Sequence, residues 1–376
     1  MVRIGRNRIW LRIGIGILAA MTVFLAGGTL AGLIGIAGNE SNIAYCRRIE
    51  PMRTRYAAPV ETADGNWEVV ADGDYKILQL TDVHFGGGVL SIAQDRATID
   101  DIVRLVRHAE PDLIVCTGDI AFPFVYASGT SDNMASHRLF AALMESLGVP
   151  WAVTLGNHDS ESIAMHDRAQ VSEFYARQAG SLFRKGNVSG YGNYALTVRN
   201  RDGGIQQKLI MMDSNDYLDN GKLLENYFEY DVIHDDQIDW YRAQVQDCAG
   251  KSMVFFHIPL VEFKTANELW EQSGDSDEVA WISGKRDEGT WPGYKNNGFF
   301  ETMREIGHTQ AVFCGHDHRN SAIVRYRGIV LAYGMALDRV AYPGIALQDA
   351  YRGATLITAH SDASFDLEQI SVRALR

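Results

Sequence analysis

The sequence predicts an α/β fold in which helices cover two packed sheets. Three observations carry that prediction. Strand-like and helix-like segments alternate from Lys76 onward. The last sixty residues read mostly as strands. Five apolar runs each end abruptly in Asp, His or Asn. Alternation followed by a strand-rich end is the pattern of helices laid on sheets.

The elements come in order. Lys76–Leu80 is a short apolar run and reads as a strand. Ile99, Ile102, Val103 and Val106 recur at helical spacing. Pro111 precedes a strand at Leu113–Cys116. A second helix carries Leu139, Leu143 and Leu147 and stops at Gly148, a C-terminal cap. A strand at Trp151–Thr154 and a helix around Val171, Phe174 and Tyr175 come next. Tyr194–Val198 and Leu209–Asp213 read as a hairpin joined at Asp202-Gly203-Gly204. Ile238, Tyr241 and Val245 mark a further helix. Strands return at Met253–Phe256 and Ala311–Cys314, with a short helix near Phe300–Ile306. The segment Glu268–Asn297 is acidic, carries Trp270, Trp281 and Trp291, and is long for a connection. Such loops serve as lids or binding loops; the alternative is a surface insertion packed by its own tryptophans.

Bulk composition narrows the class. The chain has 376 residues, 46% hydrophobic and 22% charged, with only 8 prolines, so it is globular rather than disordered. A net charge of −12 argues against a nucleic-acid-binding surface, whose affinity comes from Lys and Arg on phosphates. The four cysteines show no metal-type pairing. Four free or buried thiols are expected, with a Cys46–Cys248 bridge as the alternative.

The N-terminus is a clear break. Arg3, Arg6, Arg8 and Arg12 form a basic tail at 1–12, followed by an uncharged run at 13–38. At about 26 residues that run is long enough to cross a bilayer. It exceeds the usual signal-peptide core, so an uncleaved anchor is expected, with secretion after cleavage near Ala37 as the alternative. Arg47, Arg48, Arg53 and Arg55 nearly balance the charge on the far side, yet a short arginine tail is hard to translocate. The tail is therefore expected inside and the large domain outside. Residues 39–73, with Pro51, Pro59 and Asp64-Gly65, read as a linker with one strand at Trp67–Val70, and 74–376 as the globular domain.

The chemistry is written in the residues directly after the strands. Leu78-Gln79-Leu80 runs into Thr81-Asp82-Val83-His84; Ile114-Val115-Cys116 into Thr117-Gly118-Asp119; Ala152-Val153-Thr154 into Leu155-Gly156-Asn157-His158-Asp159. Val254-Phe255-Phe256 runs into His257, and Val312-Phe313-Cys314 into Gly315-His316-Asp317-His318. Sites in open α/β sheets form outside the carboxyl ends of the strands. Phosphate-ester hydrolysis needs a strong nucleophile and neutralisation of phosphoryl charge, and two metals about 3.5–4 Å apart supply both. Asp82, His84, Asp119, Asn157, His257, His316 and His318 supply ligands for such a pair with one carboxylate shared. Imidazole and carboxylate donors suit Fe, Mn or Zn. Gly118, Gly156 and Gly315 precede ligand residues and permit sharp turns.

The order Asp-x-His, Gly-Asp, Gly-Asn-His-Asp, His, Gly-His-x-His resembles that of calcineurin-like metallophosphoesterases, over about Lys76 to Asn320. The resemblance implies a four-layer α/β/β/α sandwich with two mixed sheets. It implies that Asp82, His84 and His318 hold one metal, that Asn157, His257 and His316 hold the other, and that Asp119 bridges them around a hydroxide. It implies that His158 assists the leaving group and that Asp159 orients His158. The stretches Lys76–Phe85, Leu155–Glu161 and Phe256–Glu262 are similar to the purple-acid-phosphatase-like branch. True purple enzymes place a tyrosine ligand where Phe122 stands, so that ligand and its coloured centre are not expected.

Glu262, Arg319 and Asn320 are candidate substrate contacts, each with a surface or turn role as the alternative. The expected activity is hydrolysis of a phosphate ester. Two alternatives stand beside it: a catalytically weak metal- or partner-binding relative, and a lipid phosphate or pyrophosphate hydrolase. The acidic, aromatic segment at Glu268–Asn297 is a poor match to an anionic lipid surface, which ranks the lipid reading lower.

Overall fold

In the computed structural model, which describes residues 3–218, 229–246, 248 and 251–376, the first element is one long helix, α1 (Arg3–Cys46). Next come β1 (Val60–Glu61), β2 (Trp67–Val70), β3 (Tyr75–Leu80), α2 (Ile92–Ala109), β4 (Leu113–Thr117), α3 (Val125–Ser128), α4 (Asn133–Leu147) and β5 (Trp151–Thr154). The middle of the chain supplies α5 (Arg168–Ala176), β6 (Tyr194–Arg199), β7 (Ile205–Met211), α6 (Asp235–Val245), β8 (Ser252–Phe255), α7 (Val261–Ser273) and β9 (Val279–Ser283). The last elements are α8 (Phe299–Ile306), β10 (Thr309–Cys314), β11 (Ile323–Tyr326), β12 (Ile329–Tyr333), β13 (Gly353–Ala359) and β14 (Phe365–Ser371).

The strands form two mixed sheets. One has five strands in the order β14-β13-β3-β4-β5, and the other nine, in the order β1-β2-β6-β7-β8-β10-β12-β11-β9. β3, β4 and β5 run parallel, as do β7, β8, β10 and β12, so their carboxyl ends point one way within each sheet. Side-chain alternation sorts the nine-stranded sheet into two faces. Leu209, Met211, Phe255 and Phe313 share a core with β3, β4, β5, α2 and α4, whereas Ile210, Val254, Val312 and Cys314 share one with α6 and α8. That period of two is the strand pleat, and it produces the layering of helix, sheet, sheet, helix. Phe255 and Phe313 stack between the sheets at 4.8 Å.

Gly148 caps α4 in the left-handed region, with its N–H on the Met144 carbonyl, and β6 pairs with β7 as an antiparallel hairpin. Two expectations differ from the structure. The linker expected at 39–73 does not begin at Asn39: α1 continues to Cys46, because Gly35, Asn39, Asn42, Ile43 and Cys46 form a buried stripe at helical spacing. Asn39 donates to the Ala135 carbonyl and Asn42 to the Ile92 carbonyl, so the asparagines that read as linker are docking contacts. The segment Glu268–Asn297 is not one loop. Its first part completes α7, and its strand β9 pairs with β11. Trp270 and Trp281 pack at 4.6 Å, and both donate to Asp275, so this half is structural.

All four cysteines are buried and unbridged. Cys46 lies in the core shared by the two sheets and Cys248 in the outer one, which excludes the alternative bridge.

Candidate metal centre

The loops after β3, β4, β5, β8 and β10 converge. Asp82 N–H donates to the Gly118 carbonyl, His84 N–H to the Asp119 carbonyl, and Gly315 N–H to the His257 carbonyl. The packing demands glycine at two points. A Cβ on Gly156 would lie 2.1 Å from Asp119 Oδ1, and one on Gly118, at φ +86°, would lie 2.8 Å from His257 Nδ1. Asp82, His84, Asp119 and His316 themselves hold positive φ of 50°, 47°, 51° and 80°. Left-handed backbone on such residues costs on the order of 1–3 kcal/mol each and concentrates at functional sites.

The side chains form two groups joined at Asp119. Asp82, His84, Asp119 and His318 bring one ligand atom each within 4.8 Å of one another, as do Asp119, His257 and His316. Asp119 Oδ2 lies 3.1 Å from His257 Nε2 and 3.6 Å from His84 Nε2. His84 Nε2 faces His318 Nε2 at 3.1 Å, and His316 Nδ1 faces His257 Nε2 at 3.3 Å. Asp119 Oδ2 and Asn157 Oδ1 are buried with no hydrogen-bond partner. Each such orphan costs about 1–3 kcal/mol unless something satisfies it, and a cation does so for both. The donor set therefore fits metal ions, and no thiolate competes: burial pushes the Cys116 and Cys314 thiols well above their usual range.

The charges of the cluster offset one another. Burial pushes the Asp119 carboxyl up, but His257, His158 and His84 outweigh it and hold it well below the usual carboxylate range. Burial pushes His257 and His318 down. Asp119 overrides it at His257, and Asp338 with Asp82 at His318, raising both imidazoles to about 9.

Two ring nitrogens are fixed from behind. His257 Nδ1 donates to the Thr117 carbonyl at 2.7 Å. His318 Nδ1 lies 3.0 Å from Asp338 Oδ2, and the Asp338 carboxylate also accepts from the N–H groups of Val340, Ala341 and Tyr342. Sequence reading missed Asp338, which belongs to no motif. The signal was a lone Asp after the strand β12 that neighbours the His316–His318 strand.

His158 is the member of the cluster that solvent reaches, its side chain 25% exposed. Its expected partner is corrected. Asp159 does not touch His158; its carboxylate accepts from the N–H groups of Asp119, Ile120, Ala121 and Gly156 at 2.8–3.1 Å and so clamps two ligand loops together. The tight turn at His158–Ser160 instead brings Glu161 round, with Oε1 2.5 Å from His158 Nδ1. Tyr217 donates to Glu161 at 3.0 Å and accepts from Asn157 Nδ2 at 3.0 Å, tying this carboxylate to a candidate ligand. Burial pushes the His158 imidazole down, but Asp119 and Glu161 outweigh it and raise it. Phe122 sits edge-on to His84 at 5.3 Å and to His158 at 5.1 Å, filling its place with a ring that donates nothing.

The candidate substrate contacts divide. Asn320 accepts from the N–H groups of Asp287 and Glu288 and donates to the Gly289 carbonyl, so it staples the 287–289 segment. Glu262 is buried in the first turn of α7 and accepts from Asn296. Arg319 forms no ion pair among the described residues, and its Nε is buried without a partner. Trp291, in the remaining half of the insertion, donates its N–H to Asp317 at 3.4 Å while its side chain is exposed.

Comparison with known proteins agrees with this geometry. Residues 75–320 match the Calcineurin-like phosphoesterase family. The chain is 31% identical over 307 residues to "Probable inactive purple acid phosphatase 29" of Arabidopsis thaliana, covering 72% of this chain and 74% of that one. It is 29% identical to "Phosphatase DCR2" of Saccharomyces cerevisiae, over 71% of this chain and 48% of that one. A solved dimetal phosphatase from Danio rerio shares the fold with a TM-score of 0.52 at 10% identity, covering 80% of this chain and 99% of that one.

Proposed function

This chain belongs to the calcineurin-like phosphoesterase family, and we propose that it hydrolyses a phosphate ester at the cluster centred on Asp119. The observation that carries the reading is the meeting of Asp82, His84, Asp119 and His318 in one group and Asp119, His257 and His316 in another, the two sharing one carboxylate, with Asn157 Oδ1 buried and without a hydrogen-bond partner. Asp82, His84, His318 and Asp119 would hold one ion, and Asn157, His257, His316 and the same Asp119 the other, with Fe, Mn or Zn suited to these donors. Such a pair, when bound, lowers the pKa of water and neutralises charge on the ester oxygens.

The chain's own contribution is position and a proton. His158 stands at the open side of the cluster with Nε2 4.0 Å from Asp119 Oδ2. Glu161 Oε1 stands 2.5 Å from Nδ1 and, with Asp119, raises the pKa of the imidazole, which makes Nε2 the proposed donor to the leaving-group oxygen. Arg319, with its charge unspent, is the side chain available to a substrate phosphate oxygen.

The described part of α1 is long and apolar enough to cross a membrane by length and composition. We read it as an anchor that places the catalytic domain on the extracytoplasmic side, the arginine tail remaining inside.

A second reading is favoured by a specific observation, that an Arabidopsis relative is named "probable inactive". The full ligand set and His158 with its carboxylate partner favour activity in this chain. The deciding experiment is hydrolysis of an aryl phosphate by purified protein, abolished by chelation and restored by divalent metal. Metal-loaded protein that turns over neither a monoester nor a diester overturns the proposal.

A further inference from the structure

Resting on that reading, we infer that the substrate is a phosphate ester carried on an apolar tail, taken from the bilayer in which α1 is anchored. Among the described residues, the apolar half of α1 stands clear of the domain: Ile15, Leu18, Met21, Leu25 and Leu30 are all exposed. Contact begins at Gly35, where a Cβ would lie 2.9 Å from the Val89 amide nitrogen, and continues at Gly38 against Ile92. Counting back from there, the stretch 13–31 rises about 28 Å at 1.5 Å per residue, close to the roughly 30 Å of a hydrocarbon core. The loop at 86–90 therefore lies about one helical turn from the edge of the bilayer.

That loop is the continuation of a metal-ligand loop, with Leu90 six residues from His84. It carries one end of an exposed apolar surface made of Leu90, Phe124, Val125, Tyr126, Ile163 and Met165. The segments that carry it are tied together through the backbone of the 124–131 stretch: Leu90 N–H donates to the Ser128 carbonyl and Met165 N–H to the Ser131 carbonyl. Tyr126 is 88% exposed. Its occupant is identified by continuity, since Gly32, Gly35 and Ile36 of the anchor face Gly88, Val89 and Gly129 across one shared cleft. Tyrosine and apolar side chains beside a membrane span are the composition of an interfacial face.

The surface also leads to the chemistry. Ring centroids step from Tyr126 to Phe124 at 5.7 Å, from Phe124 to Phe122 at 6.0 Å, and from Phe122 to His158 at 5.1 Å. A phosphate at headgroup depth reaches His158 along this ladder while its tail stays in the acyl region. In the reaction the ester P–O bond breaks, water supplies the new oxygen on phosphorus, and the tail leaves as an alcohol with the proton from Nε2. Ester plus water gives tail alcohol and hydrogen phosphate.

The test uses full-length, metal-loaded protein in phosphatidylcholine vesicles. Its substrates are dioleoyl phosphatidate, a polyprenyl phosphate, glycerol 3-phosphate and an aryl phosphate. We expect kcat/KM at least tenfold higher for one tail-bearing ester than for glycerol 3-phosphate. The triple variant Phe124→Ser, Val125→Ser, Tyr126→Ser should erase that preference and leave the aryl phosphate rate unchanged, which also reports a folded site. A readout independent of turnover is Tyr126→Trp in vesicles with brominated acyl chains, where emission should be quenched beyond that of the parent. Hydrolysis of the soluble esters without tail preference, or emission from the Tyr126→Trp variant quenched no more than that of the parent, overturns this inference and leaves the proposed function standing. Hydrolysis of none of the four overturns both.

Discussion

The pKa of His158 is raised by carboxylates on two sides, Asp119 and Glu161, and only Glu161 is free of candidate ligand duty. Glu161→Gln removes that charge while preserving shape. The sign is direct: without Glu161 the imidazole loses its proton at lower pH, so the alkaline limb of the rate profile should move down in pH, with kcat reduced about 10- to 100-fold, part of the 10²–10⁴ a positioned proton donor supplies. Metal content should stay at the parent level. A pH–rate profile with an unmoved alkaline limb would refute the role. Asp338→Asn acts on the other side of the centre. It weakens the hold on His318 Nδ1, and carboxylates in that position are worth about 10–100-fold in metal affinity. Competition titration with a chelating dye should show the loss, and unchanged affinity would reduce Asp338 to a turn residue serving Val340–Tyr342.

At the scale of elements, legibility tracked how local the cause was. Asp82, His84, Asp119, His257, His316 and His318 were legible because each ends an apolar run, and the strand that delivers it is written in the same few residues. Glu161 was not, because the turn at His158–Ser160 decides which carboxylate meets the imidazole, and Asp159 next door looked the better partner. β9 was hidden because its pairing partner β11 lies far along the chain and its flanks are rich in Gly, Ser and Asp. Asn39 and Asn42 read as linker because the helix face that buries them depends on α2 and α4. A nonlocal cause also ties the end of β13 to its neighbours. His360 Nδ1 lies 2.8 Å from Asp74 and Nε2 3.0 Å from Asp366, and these two carboxylates raise its pKa. The folded value is above the unfolded one, so the stabilisation is present in full below the unfolded pKa and is lost as pH rises through the folded one. His360→Gln should therefore lower the unfolding midpoint at about pH 5.5 more than at about pH 9, the sense in which exposed pairs contribute. Equal effects at both values would show that the contact is packing alone.

For the whole molecule, the open question is whether α1 is a tether or a part of the fold. The stripe Gly35, Asn39, Asn42, Ile43 and Cys46 makes it a part: Tyr45 donates to Asp100, and Arg96 stacks on the Tyr45 ring at 3.8 Å while donating to Asn42. Burying Ile43 alone is worth about 1.5–3 kcal/mol. The two halves of the helix should then separate under truncation. Removing residues 1–31 takes away the apolar surface that is exposed among the described side chains and should leave the unfolding midpoint within about 1 °C of the parent in detergent. Removing residues 1–46 strips the stripe from α2 and α4, and a loss of about 3 kcal/mol should lower the midpoint by roughly 4 °C in a domain this large. Because Gly35 braces the loop that continues from His84, the longer truncation should also weaken metal binding, and the shorter one should not. Differential scanning fluorimetry with metal titration separates the cases: if both truncations behave alike, the helix is a passive tether.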